Sequence, residues 1–295
     1  LFSPRAEIDR YLAFERALAV AEAAQGVIPQ AAADAIAAVA YTPDLDAIRA
    51  ATARDGVPTI EFVRQLRAAV GSPHDAHVHF GATSQDVVDT ALVLGLKSVL
   101  ERLEGRLRVL LADLDALSSR FGARSLMGRT RMQDALPVSV GHRVAAWSAP
   151  LSRHLSRLAE LRPRLLVPQF GGAVGTLDKL GARGAAVSAA LAGELGLGVP
   201  SANWHTQRDG VAEYANWLSL VSGALGKLGQ DVLLMAQNSV GEIVLEGGGG
   251  SSAMPHKRNP VRAEVLVSLA RYNATLLPAM HHALVAEQER SGAAW

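Results

Sequence analysis

The chain has 295 residues, 49% of them hydrophobic and 19% charged, which is typical of a folded globular protein and excludes a disordered one. Its net charge of +1 gives no support to a nucleic-acid or membrane-surface role, and we expect neither partner. The absence of cysteine excludes disulfides, thiol catalysis and cysteine-ligated zinc, and it fits the cytoplasmic location that we expect.

Four short helical patterns fill the first part of the chain, and longer ones follow. Each short pattern ends near glycine or proline, and no series of alternating strand patterns is present. The short predicted helices cover residues 5–24, 30–39, 43–53 and 59–70. The long ones cover residues 84–120, 137–161, 208–242 and 260–285.

The first long pattern has a leucine seam with alternating spacings of four and three, which is typical of a helical bundle. The seam consists of Leu103, Leu107, Leu110, Leu114 and Leu117. Helices of this length usually need other long helices beside them. We therefore predict an all-α fold with a helical N-terminal domain over residues 1–88 and a long-helix bundle over residues 89–295. Other copies of the chain are expected to complete the bundle, the alternative being a compact monomer.

Residues 247–260 read GGGGSSAMPHKRNP and combine several groups that could bind or move charge. Glycines bring backbone N–H groups close to a ligand, and the hydroxyls of Ser251 and Ser252 could exchange protons. Lys257 and Arg258 favour an anion. The segment predicts a carboxylate or phosphate site, and a solvated linker followed by a basic cap is the alternative.

A helix start follows this segment directly. Asn259 is the predicted N-cap and Pro260 the predicted first helical residue. Because a helix N-terminus is itself favourable for anions, the helix start strengthens the prediction of an anion site.

Three further clusters of polar residues precede predicted helices. HFGATSQDVVDT offers Thr83 and Ser84 as N-caps, with Asp86 at the capping-box offset. GRTRMQDALP carries Thr130, Arg131 and Gln133 ahead of Pro137, which can open the next helix. NWHTQRD carries His205, Thr206, Gln207 and Arg208. Each cluster alone has a structural explanation, but together they place carboxylate-binding residue types at four helix starts.

These four clusters resemble the signature regions of the fumarase/aspartase superfamily, over essentially the whole chain. The motif G-S-S-x-M-P-x-K-x-N-P at residues 250–260 is the most specific marker, and T-x-x-Q-x-A-x-P at residues 130–137 lies in the expected order. The resemblance implies a homotetramer with a central bundle of long helices and active sites shared between subunits. It also implies anti elimination or addition beside a carboxylate, and a small C-terminal domain that we expect to lie outside this sequence.

Within the superfamily, WHTQRD, SSAMPHKRNP and residues 180–200 most resemble a branch of lactone-forming cycloisomerases that act on a small tricarboxylate. Adenylosuccinate lyase, or another fumarate-releasing lyase, is the nearest alternative, and a non-catalytic structural homologue is another. Adenylosuccinate lyases typically carry a histidine where this chain has Arg131, and His-Asp-Val where it has Gly-Val-Pro at residues 56–58.

The resemblance implies that Ser252 handles the proton beside a carboxylate, with Ser251 as the alternative. Lys257 and the glycine N–H groups would stabilise the charge that develops, and Asn259 would orient the loop. When the nucleophile is the substrate's own carboxylate, no histidine is needed to protonate it, and Arg131 can instead hold a carboxylate.

Carboxylate binding by the remaining residues is also implied by the resemblance. These residues are Thr83, Ser84, Thr130, Gln133, Thr206, Gln207 and Arg208. His205 is assigned as a substrate contact or secondary proton donor. The neighbouring pairs His77 and His79, and His281 and His282, are interpreted as structural or surface residues. No metal or organic cofactor is expected.

Overall fold

The computed structural model describes all 295 residues and consists of nine α-helices and one two-stranded antiparallel sheet. The prediction of a mostly helical protein is confirmed. The helices are α1 Pro4–Ala24, α2 Gln30–Ala38, α3 Leu45–Asp55, α4 Thr59–Val70, α5 Ser84–Phe121, α6 Val140–Leu165, α7 Gly184–Glu194, α8 Asp209–Met235 and α9 Val261–His282. The strands are β1 Ser125–Thr130 and β2 Gln133–Ser139. None of the helices combines the length and apolar character needed to cross a bilayer.

The chain divides into two compact units, each assembled from separate stretches of sequence. Unit 1 comprises Leu1–Arg102, Arg162–Gly210 and Ala283–Trp295, and unit 2 comprises Leu103–Leu161 and Val211–His282. The units do not coincide with the two continuous segments predicted from the sequence. The first division along the chain falls inside the long helix α5, which contributes to both units. This division therefore does not coincide with the end of a predicted helix.

Helix α1 is central to the core of unit 1, where it packs against α2 and α7. Phe14 is fully buried and meets the ring of Phe170 edge to face, with the centroids 6.4 Å apart. Tyr11 meets Phe62 of α4 in the same way at 5.5 Å. An edge-to-face aromatic pair stabilises a fold by more than the apolar area that it buries. These two pairs therefore fix α1 against the residues around it.

Unit 2 contains long helices that are joined by buried polar contacts as well as apolar ones. Trp147 of α6 donates its indole N–H to Asp231 of α8 over 2.7 Å. Gly226 lets α8 approach α9 closely, because a Cβ at this position would lie 2.6 Å from the Cβ of Ala270. The helices of this unit are therefore packed at distances that tolerate only small residues at some contacts.

The two strands form a hairpin that the sequence analysis did not predict. Thr130 pairs with Gln133, and the two residues between them, Arg131 and Met132, have φ of 51° and 67°. A two-residue turn with positive φ at both positions usually carries Asn-Gly or Asp-Gly, and that signal is absent here. Pro137 lies within β2, so the expectation that it opens the next helix is wrong.

Candidate active site

The buried carboxylate of Asp86, in the first turn of α5, connects three segments of unit 1. Oδ2 accepts from the backbone N–H of Thr83 at 2.9 Å and of Gly172 at 3.0 Å. Oδ1 accepts from the N–H of Gly171 at 3.0 Å and from Nε2 of His205 at 2.7 Å. Because a buried carboxylate is stable only when it is hydrogen-bonded, these contacts fasten the start of α5 to both loops.

Glycine is required at both loop positions that bind Asp86. Gly172 has φ of +68°, and a Cβ there would lie 2.8 Å from the carbonyl oxygen of Gly81. A Cβ at Gly171 would lie 2.8 Å from Oδ1 of Asn203. These two glycines were not among the predicted site residues, although their adjacency in QFGGAVG is a visible signal for a close backbone approach.

Asp89, one turn further along α5, binds the segment that carries the NWHTQRD motif. Arg208 donates to both of its carboxylate oxygens, at 2.6 and 3.0 Å. The guanidinium of Arg208 also lies over the ring of Trp204, 5.0 Å from the centroid. Asp89 therefore holds this arginine by a bidentate ion pair in a largely buried position.

His205 and Arg208 are each held by a carboxylate of α5, and their assignment as substrate-binding residues stays a prediction. The side chain of His205 is fully buried, with Nε2 on Asp86 and no partner for Nδ1. Arg208 is engaged by Asp89. The sequence motif did not reveal these contacts, because both acidic partners lie 119 positions earlier in the chain. Of the other residues in this motif, Thr206 is partly exposed and Gln207 exposed.

Thr83 and Ser84 lie at the start of α5, where the sequence placed a helix cap. The N–H of Thr83 donates to Asp86, as in a capping box, while its Oγ1 accepts from Arg290 at 2.8 Å. Ser84 lines a cavity of about 330 Å³ in unit 1. His79 lines the same cavity, and its side chain is only 14% exposed. Of the two interpretations made from the sequence, structural or surface residue, the surface one is therefore wrong for His79.

The tip of the hairpin presents Thr130 and Arg131 to a cavity of about 900 Å³ in unit 2. Arg131 is exposed, and no ion pair engages it within the chain. Its positive φ is costly for a residue other than glycine, by roughly 1 kcal/mol or more. Gln133 is exposed on the opposite side of the turn. The arginine is thus held at an exposed, strained tip with its guanidinium open to a ligand.

Asn259 closes the base of the loop that carries the serines. Its backbone and that of Gly249 exchange two hydrogen bonds of 2.8 Å, and its side-chain amide donates to the carbonyl of Gly250 at 3.0 Å. The predicted N-cap role is therefore wrong, because the amide is used across the loop. Helix α9 begins at Val261, one residue later than expected, and the carbonyl of Pro260 accepts the first helical bond, from Glu264.

The two serines of the loop differ in what their hydroxyls contact. Oγ of Ser251 accepts from the backbone N–H groups of Ala253 and Met254, at 3.3 and 3.1 Å. Ser252 is exposed, and no hydrogen bond engages its hydroxyl. Lys257 and Arg258 are exposed on the same loop. The geometry therefore gives Ser251 a turn-forming role and leaves Ser252 as the hydroxyl that a substrate could reach.

The polar clusters line different cavities within one chain. Ser84 lines a cavity of unit 1, Thr130 and Arg131 line one of unit 2, and Asn259 borders a third beside the glycines of its loop. No group of three or more histidine, aspartate or glutamate side chains is arranged to hold a metal ion.

Comparison with known proteins identifies the family. A family profile described as lyase matches residues 2–272. The chain therefore belongs to the fumarase/aspartase superfamily.

The particular relatives are lactone-forming members of this superfamily. The chain is 45% identical over 303 residues to 3-carboxy-cis,cis-muconate cycloisomerase of Pseudomonas aeruginosa, covering 100% of this chain and 66% of the relative. It is similar to the crystal structure of 3-carboxy-cis,cis-muconate lactonizing enzyme from Pseudomonas putida, with a TM-score of 0.92, 42% identity, and coverage of 100% and 67%. For the cycloisomerase structure from Acinetobacter calcoaceticus the TM-score is 0.93, with 36% identity and coverage of 100% and 68%. The chain spans about two thirds of the length of these relatives.

We predict that Asp86→Ala lowers the free energy of unfolding by roughly 3–5 kcal/mol, because it leaves buried donors without an acceptor. Urea unfolding at fixed protein concentration measures the change. Asp113→Ala, at an exposed position of the same helix, is the control and should stay within about 0.5 kcal/mol of the parent. An equal, small effect of both substitutions would contradict the central role given to Asp86.

Proposed function

We propose that this chain belongs to an enzyme that converts 3-carboxy-cis,cis-muconate to 4-carboxymuconolactone, a step in the breakdown of protocatechuate. The observation that carries the proposal is the exposed, unpartnered hydroxyl of Ser252 in a loop with Lys257. The open guanidinium of Arg131, where the rival lyases carry an acid–base histidine, supports the same choice. The similarity to cycloisomerases over the whole chain supports it independently.

The reaction is an intramolecular addition that needs one proton. An oxygen of one substrate carboxylate forms a bond to an alkene carbon, and a proton is added to the adjacent carbon, which lies beside another carboxylate. In this direction we assign Ser252 as the proton donor, and in reverse its alkoxide would be the base. The N–H groups of residues 247–250 and the ammonium of Lys257 would stabilise the serine anion and the enolate-like intermediate.

Arg131 fits this reaction better than an elimination that releases an amine or hydroxide. A leaving amine must usually be protonated by an acid of the enzyme, whereas a carboxylate has a pKa of about 4 and leaves as the anion. Arginine remains charged at all relevant pH values and binds carboxylates through two parallel hydrogen bonds. It would therefore orient one carboxylate of the substrate without taking part in proton transfer.

We also propose that the enzyme is a cytoplasmic homotetramer with active sites shared between subunits. Helix α9 supports the assembly, because an apolar face along its length remains exposed in one chain. This face consists of Val261, Val265, Leu269, Tyr272 and Leu276, which are between 45% and 63% exposed. Their spacings of four and three residues place them on one side of the helix, as expected for a helix that packs against another subunit.

The first test of the function is direct. Protein carrying this chain should convert 3-carboxy-cis,cis-muconate without an added cofactor, and the loss of muconate ultraviolet absorbance measures the conversion. It should not split adenylosuccinate, because Arg131 cannot supply the proton that the leaving amine needs. Release of fumarate from adenylosuccinate without muconate turnover would overturn the proposal.

The second test compares the two serines of the loop. Ser252→Ala should lower kcat by roughly 10²- to 10⁴-fold, the usual contribution of a general acid–base group. Ser251→Ala removes turn-forming hydrogen bonds of about 1 kcal/mol and should lower kcat by less than about tenfold. Stopped-flow assays at saturating substrate, with circular dichroism to check helix content, measure both. The reverse order of effects would transfer the proton to Ser251.

The third test examines whether the active site is shared. Arg131→Ala and Ser252→Ala should each be nearly inactive, but refolding them together should restore part of the activity. Restoration is expected because some mixed tetramers would contain a site with neither substitution. Confirmed hybrid tetramers that show no gain would mean that both residues come from the same subunit.

A further inference from the structure

A buried carboxylate of helix α1, that of Glu15, has no role in the reaction described above. The residue is 1% exposed, and its Oε1 lies 2.6 Å from Nδ1 of His79. His79 is 64 residues away in sequence and has φ of 63°, a left-handed conformation that is uncommon for residues other than glycine. The buried contact with Glu15 fixes the imidazole ring in one orientation.

The ring so fixed forms part of the wall of the cavity that Ser84 lines. The other polar residues of that wall are Thr59, Arg64 and Arg67. Thr59 is 1% exposed, and its hydroxyl has no hydrogen-bond partner. A buried hydroxyl without a partner is costly, and a bound ligand would satisfy it.

The cavity presents hydrogen-bond donors and positive charge, which suit an anion. Its wall contains two arginines and a histidine but no acidic residue. Arg64 is paired with Glu61, and Arg67 donates to the carbonyl of Val78, so both guanidinium groups are held in place. With Nδ1 of His79 occupied by Glu15, Nε2 is the ring nitrogen that remains for a ligand.

The charges around His79 favour its protonated form. Burial by itself lowers the pKa of the imidazole, but the charge of Glu15 and the hydrogen bond to it outweigh burial and raise the pKa above its ordinary 6.5. Asp86 of α5 also raises the pKa, and Arg67 of α4 lowers it. Glu22, the other buried carboxyl of α1, does not contact His79. Burial, with a smaller contribution from the charge of Glu15, raises the pKa of Glu22 to about 9, so it is uncharged at neutral pH.

We propose that Glu15 is a positioning residue that holds His79 at a carboxylate-binding cavity, where Nε2–H and the hydroxyls of Ser84 and Thr59 bind one carboxylate of the substrate. The inference rests on the proposed function insofar as the ligand is the tricarboxylate substrate. It adds the group that binds one of its carboxylates and the residue that orients this group. The resulting interaction is a charge-assisted hydrogen bond, the strongest kind available to an imidazole.

The probe for the test is tricarballylate, a saturated tricarboxylate that has no alkene to react. Its affinity is measured by calorimetry from about pH 5.5 to about pH 8.5, the range in which histidine titrates. Binding needs the protonated ring. The affinity of the parent protein should therefore be highest at pH values below the pKa of His79 and fall as the pH rises through that pKa. His79→Gln should bind roughly 10- to 100-fold more weakly at low pH and lose this pH dependence.

Glu15→Gln distinguishes positioning from a merely structural role. Without the anion, the pKa of His79 falls, so binding at neutral pH should weaken by roughly tenfold and recover towards the parent value at the low end of the range. Glu22→Gln is the matched control, a second buried glutamate of the same helix, and should bind like the parent. In the muconate assay, Glu15→Gln should raise KM at neutral pH with a smaller effect on kcat.

Several results would overturn the inference. They are an unchanged pH dependence in His79→Gln, parent-like affinity of Glu15→Gln at all pH values, and no binding of tricarballylate to the parent protein. If Glu15→Gln does not fold, His79→Gln and the pH profile of the parent protein decide the question. Tricarballylate binding that depends on His79, in a protein that does not convert muconate, would reject the proposed function while leaving the carboxylate site intact.

Discussion

The arrangement of unit 1 depends on one buried charge, the carboxylate of Asp86. Removing such a charge from water costs several kcal/mol, and the structure offsets this cost with donors from the start of α5, from the glycine pair at 171–172 and from His205. Because these donors come from segments far apart in sequence, satisfying the charge determines where each segment lies. Thr83 and Ser84 are therefore positioned by the buried contacts of Asp86, which are not themselves part of the proposed site.

The serine loop is held in a different way, by bonds between its own residues. The pair of Gly249 and Asn259 closes its base, and Ser251 forms a turn inside it. Ser252 is left exposed to water, which screens the charges of neighbouring groups. A serine can exchange protons efficiently only where fixed donors replace that water. Under the proposed function, the exposed loop and the exposed hairpin tip therefore share one requirement, which is cover from another subunit of the proposed homotetramer.

The fold class and the long helices could be predicted because apolar periodicity is a local property of the sequence. The helix over residues 59–70 was predicted with its observed bounds, and α5 to within one residue. The hairpin could not be predicted, since its turn uses Arg131 and Met132 at positive φ in place of Asn-Gly. His79, His205 and Arg208 each bind a carboxylate that lies at least 64 positions away in the sequence, so the sequence motifs did not reveal these partners. Residue type alone does not distinguish a histidine that is free to bind a ligand from one whose ring nitrogen is hydrogen-bonded to a buried aspartate.

The positive charges at the proposed site would bind the substrate more tightly than the product, and this difference would favour release of the product. The chain as a whole is nearly neutral, yet Arg131, Lys257 and the group around His79 place positive charge at the proposed substrate-binding residues. In lactone formation one carboxylate becomes an uncharged ester while a proton is taken up, so the product carries one negative charge fewer than the substrate. Fixed cations therefore bind the substrate more tightly than the lactone. Arginine suits this task better than a neutral histidine would, because its charge does not depend on the proton that the reaction consumes.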